Sequence, residues 1–161
     1  MKNVIKRIAL ISALLMVALV NGYAQESTQV KKTVEEIVKK YDGTKGVECI
    51  SLVKGGGLDM VKMMFRKQFG KDFMKGVTSI TLIEYSGASD DVRAALRGEL
   101  NVFSTLLKEF DISKEQQFAD SSYVKCFASE LASGALTDFI VALESDKSKV
   151  MLYMSGEIKV E

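Results

Sequence analysis

Two cysteines and a few carboxylates set inside apolar stretches are the residues of this chain best placed to do chemistry. Cys49 and Cys126 form an even pair, which an oxidising compartment would permit to close as a disulfide. Their spacing is far from Cys-x-x-Cys, so a redox centre is not indicated. Asp90 and Asp91 adjoin each other at the start of a helical pattern and point apart, so they cannot share a proton as a catalytic dyad does; helix capping accounts for them. Asp138 and Glu144 alternate with Ile140 and Ala142 along one strand face, where a strand bordering water explains them. The chain has no histidine. That removes Ser-His and Cys-His nucleophile pairs, imidazole proton shuttles and nearly all catalytic zinc sites. No Asp-x-Asp-x-Asp-Gly calcium loop is present, and no residue pattern calls for a cofactor.

Gly55-Gly56-Gly57, between a strand and a helix, could cradle a phosphate at the helix start. A flexible turn is the better account, because no Lys-Ser or Lys-Thr follows Gly57 and the spacing is not that of a dinucleotide fold. The helix beyond it carries Met60, Met63 and Met64 beside Lys62, Arg66 and Lys67, with Lys71, Met74 and Lys75 following. This set suits either an adaptable partner surface or a basic membrane-facing patch. Its periodicity favours a core helix with one solvated face, leaving Met63 and the segment after Gly70 as the exposed contacts.

The elements that position these residues follow from periodicity. Val30, Val34, Ile37, Val38 and Tyr41 recur at helical spacing after a Ser27 or Thr28 cap. Val47–Lys54 predicts a strand. Leu58–Phe69 predicts an amphipathic helix burying Leu58, Met60, Val61, Met64, Phe65 and Phe69. Val77–Tyr85 predicts a second strand, and Ser89-Asp90-Asp91 starts a helix reaching about Phe110, with Val92, Leu96, Leu100, Phe103, Leu107 and Phe110 inward. Asp111–Asp120 is polar and predicts a surface loop. Tyr123–Ser129 is a third strand, and Ala135–Glu144 with Val150–Ile158 makes a terminal hairpin. This order predicts a two-layer α+β domain over residues 25–161: a mixed, roughly five-stranded sheet, three helices mainly on one face, and an antiparallel meander at the end. The second face would then present Tyr123, Lys125, Phe127, Met151 and Tyr153 as an open binding surface, unless the first helix or a second copy covers it.

Residues 1–24 have the form of a secretory signal peptide. Lys2, Lys6 and Arg7 precede the apolar stretch Ile8–Val20, and Gly22-Tyr23-Ala24 places small residues where a signal peptidase cuts, between Ala24 and Gln25. The apolar stretch is shorter than the roughly 20 residues a spanning helix needs. The leader holds three of the 22 basic residues and none of the 21 acidic ones, so residues 25–161 carry 19 against 21. Nucleic acid is therefore excluded as an expected partner.

The run Asp138–Glu144, the charged turn Ser145–Lys149 and the strand Val150–Ile158 ending in Ser-Gly-Glu-Ile resemble the C-terminal hairpin of domain-of-unknown-function family four-two-five-two, small secreted or lipid-anchored proteins of Gram-negative bacteria. The leader and order of elements are similar too. The resemblance implies an envelope location and no catalytic residue; unlike lipid-anchored members, this chain has Gln25 where the lipidated cysteine would stand. The expectation is a non-catalytic periplasmic or secreted module that binds an envelope protein or glycan, or self-associates. A small carboxylate- or metal-dependent enzyme and a membrane-surface protein are the competing classes.

Overall fold

The computed structural model describes residues 27–53, 55–69, 71–111 and 119–159. The leader and its cleavage point at Ala24 and Gln25 lie outside the described residues. Helix α1 (Ser27–Tyr41) is followed by β1 (Glu48–Val53), α2 (Gly56–Phe69) and β2 (Gly76–Glu84). Then come α3 (Asp90–Glu99), a 3-10 turn (Leu100–Val102), a short α4 (Phe103–Leu106), β3 (Lys108–Glu109), β4 (Ser121–Glu130), β5 (Leu136–Ser145) and β6 (Lys149–Glu157).

The class is α+β, and the sheet has six strands in the order β1-β2-β6-β5-β4-β3. Every neighbouring pair is antiparallel, so the expected mixture of directions is corrected. The reason lies in the first connection. Val53 at the end of β1 pairs with Ser79 near the start of β2, so α2 and the turn after it return the chain to the end of the sheet it had left. The right-handed crossover expected from a strand-helix-strand order does not form. The terminal meander is as expected, with Ile140 opposite Tyr153 and Ala142 opposite Met151.

Helices cover both faces, a second correction. On one face Ile80, Leu82, Val141, Leu152 and Met154 pack with Leu58 and Val61 of α2, and with Phe73, Met74 and Phe110. The opposite face packs Ile83, Phe127, Ile140, Ala142, Met151 and Tyr153 beneath Val30, Val34, Ile37 and Tyr41 of α1, and beneath Leu96, Leu100, Phe103 and Leu107. Strands that meet apolar groups on both sides cannot alternate with polar residues. That is why Phe139–Leu143 and Val150–Met154 read as continuous apolar runs.

Helix α3 starts as expected: Ser89 accepts from the Val92 amide, and Asp90 pairs with Arg93 in the first turn. It ends early, at Glu99, because the backbone tightens over Leu100–Val102 and turns extended at Leu107. Lys108 and Glu109 can then add to the β4 edge. The inward stripe survives this change, except that Phe110 crosses to the α2 face. In α2, Met60 is exposed rather than buried. The side chains of Ser27, Thr28, Met64, Phe65, Lys67 and Phe69 lie outside the described residues.

Candidate functional site: a basic concavity beside helix α2

The five residues expected on an open sheet face divide between interior and rim. Phe127, Met151 and Tyr153 are only 2%, 3% and 2% exposed, sealed by α1, Leu96 and the segment from Leu100 to Leu107. That surface is corrected to a core. Its apolar side chains are what let α1 and α3 dock, so covering them stabilises the fold instead of leaving a patch in water. Tyr123 and Lys125 stay half-buried at the rim, Lys125 pairing with Glu109.

Cys49 and Cys126 are free thiols. They lie four strand positions apart in the sheet, roughly 19 Å at about 4.8 Å per strand, and they pack on opposite faces. A disulfide requires Cα atoms within about 7 Å, so the expected bridge is ruled out. Burial pushes the Cys126 thiol up to about 12 and also raises that of Cys49.

Asp138 and Glu144 do share a face with Ile140 and Ala142, but that face is covered, and neither carboxylate borders water. Arg97 donates from Nε to Glu144 Oε1 at 2.8 Å and from Nη2 to Oε2, while the Tyr85 hydroxyl donates to Oε1 at 3.0 Å. The Arg97 guanidinium also lies 5.0 Å from the centre of the Tyr123 ring. Burial alone would raise the Glu144 carboxyl, yet the hydrogen bonds from Arg97 and Tyr85 and the charges of Arg97 and Lys149 hold it below its ordinary 4.5. With both oxygens engaged, Glu144 is a clamp between α3 and the sheet, not a poised general base.

Asp138 sits in a bulge, where β4 shifts register between Phe127 and Ser129, with φ at +49°. Aspartate is one of the few residues that tolerate this conformation. Its Oδ1 accepts from the Tyr153 hydroxyl at 2.8 Å, and burial raises its carboxyl despite the hydrogen bonds from Tyr153 and Thr137.

The site that presents unsatisfied charge to solvent is elsewhere. Leu58 and Val61 anchor the inner side of α2 to the core, and Phe73 and Met74 anchor the turn that follows it. The Lys75 amide bonds back to Asp72 O and the Val77 amide to Met74 O, which closes that turn on itself. Between helix and turn is a concavity of about 360 Å³ lined by Asp59, Lys62, Met63, Arg66, Lys71, Met74 and Lys75. The four α2 residues stand at i, i+3, i+4 and i+7, so they share one helix side. Lys62, Arg66, Lys71 and Lys75 make no ion pair with the described residues. Four cations therefore converge on one carboxylate, Asp59. The arrangement can hold an anion. Met63 and the 71–75 segment are the contacts that periodicity singles out, whereas their meeting in one concavity depends on the turn. Among the described residues, no three His, Cys, Asp or Glu side chains are grouped as metal ligands, and no helix is long and apolar enough to cross a membrane.

The fold defines a small α+β protein built on one six-stranded antiparallel sheet with helices on both faces. No family model, curated protein or solved structure matches the chain.

Proposed function

We propose that the protein is a non-catalytic, exported module of the cell envelope that binds an anionic partner through the concavity between α2 and the turn at residues 71–75. The observation that carries this is the convergence of Lys62, Arg66, Lys71 and Lys75 on one concavity beside a single carboxylate, Asp59, with no ion pair to the described residues. Like charges gathered this closely repel one another, and an anion bound among them relieves that repulsion. The placement in the envelope follows from the leader and from the hairpin's resemblance. The sheet face first expected to bind is core, so the binding surface moves to the outer side of α2.

Titration with inorganic polyphosphate tests the reading. Saturable binding is expected, weakening as salt rises. The double variant Lys62→Gln/Arg66→Gln should bind at least about tenfold more weakly, given roughly a factor of five per cation. Lys31→Gln/Lys39→Gln removes the same charge from the solvent side of α1 and should leave affinity nearly unchanged. Equal losses in the two variants would reduce the effect to net charge and overturn the reading.

A further inference from the structure

Three of the four large apolar side chains most exposed among the described residues are Val53, Met60 and Met63, at 56%, 41% and 55%, and all lie within eleven residues around the start of α2. On a helix turning about 100° per residue, Leu58 and Val61 face the core, and Met63 falls roughly opposite them, at the outermost line. Met60 flanks it on one side, about 60° away, and Arg66 on the other. The exposed apolar ridge is thus bordered directly by the basic concavity, with Met63 belonging to both.

Resting on the binding reading above, we propose that the anionic partner is a bilayer surface bearing phosphate headgroups. In this arrangement α2 lies along the interface, Met60 and Met63 enter the boundary between headgroups and acyl chains, and Lys62, Arg66, Lys71 and Lys75 meet the phosphates.

The chemistry of the lining selects this occupant. A small anion held stereospecifically needs buried, fixed donors; here Met74 is the sole buried lining residue, and the cations stand on long flexible stems at the surface. Such side chains match a fluid array of headgroups, where each ammonium finds a phosphate without a set geometry. An acidic protein partner would be expected to meet aromatic anchors, and the lining has none. A soluble anion gains nothing from Met63 outermost on the helix, whereas an interface rewards apolar residues beside cations. Since the inner side of α2 is anchored to the sheet, only the outer ridge inserts, so binding is peripheral and reversible.

The test is co-sedimentation of the protein, purified from the cells that export it, with vesicles of phosphatidylcholine alone and of phosphatidylcholine containing phosphatidylglycerol, beside the polyphosphate titration. Any contribution from residues 1–24 is common to all variants. We expect binding to the phosphatidylglycerol vesicles, reversal by salt, and weakening by about tenfold or more in Lys62→Gln/Arg66→Gln. Met60→Ser, whose side chain is exposed and lies outside the lining of the concavity and whose fold circular dichroism checks, should weaken vesicle binding several-fold while keeping its polyphosphate affinity. Vesicle binding unchanged in the methionine variant overturns the bilayer proposal. Polyphosphate binding without vesicle binding overturns it as well and leaves the anion-binding reading intact. Binding to neither removes both.

Discussion

Two buried carboxylates on β5 respond to acid in opposite directions. Glu144 is more acidic in the folded protein than in the unfolded chain. Its contribution to stability is complete above about 4.5 and is lost as pH falls below that value through the lower folded one. Asp138 is less acidic folded than unfolded; its contribution is complete below its ordinary 3.8 and is lost as pH rises through its raised folded value. Asp138→Asn keeps an acceptor for Tyr153 and tolerates the same backbone conformation, so its stability relative to the natural protein should grow as pH rises from about 4 towards neutrality. Urea denaturation across that range checks this, and a constant difference would refute it. Arg97→Ala should destabilise by about 2 kcal/mol at neutral pH, less than a fully buried pair costs, because the Arg97 side chain is 44% exposed and water takes part of its place. At the thiols, native protein should alkylate at Cys49 and react at Cys126 only after unfolding, since Cys126 is sealed in the core and only Cys49 is partly open. Peptide mapping by mass spectrometry reads both.

Among the elements, α1 and α3 depend on one another through the face they cover. Tyr41 at the end of α1 donates to Glu99 at the end of α3, and Lys40 pairs with the same carboxylate. The loop after α1 is tied down by a close backbone crossing. A Cβ on Gly46, at φ +80°, would stand 2.1 Å from the Gly87 carbonyl oxygen, whereas one on Gly43, at φ +78°, would meet nothing within 4 Å. Both substitutions carry the backbone strain of about 1 kcal/mol or more for alanine at positive φ. Gly46→Ala alone also forces the two loops apart, so it should cost at least about 2 kcal/mol beyond Gly43→Ala, as for an overpacked core site. Thermal unfolding of the two variants makes the comparison.

The molecule is a sheet closed on both faces with two unlike edges. β5 and β6 lie between other strands and under helices, β3 is two residues long, and β1 forms a six-residue edge. Hydrogen exchange should therefore be slowest in β5 and β6, intermediate in β2 and β4, and fastest in β1. Protection of β1 equal to that of β6 would mean that another strand adds to this edge in solution. The same closure uses up the aromatic face in holding α1 and α3, so the proposed binding surface lies on the outer side of α2, beside Lys62, Arg66, Lys71 and Lys75.

Local periodicity was enough to place α1, α2, the start of α3 and the five longer strands to within a few residues, because each carries its own hydrophobic period and breakers. The early end of α3 and the two-residue β3 were not legible: pairing with β4 rewards leaving the helix at Leu107, and no local signal states that. Burial of Met151 and Tyr153 was foreshadowed by the unbroken apolar runs of β5 and β6, which a strand with one wet face would not carry. Strand order, the separation of Cys49 from Cys126 and the meeting of Lys62 and Arg66 with Lys71 and Lys75 were settled only by the tertiary structure. These are relations between distant segments, set by how α2 returns the chain to the edge it left and by which apolar faces find each other, and neither is encoded in the spacing within any one segment.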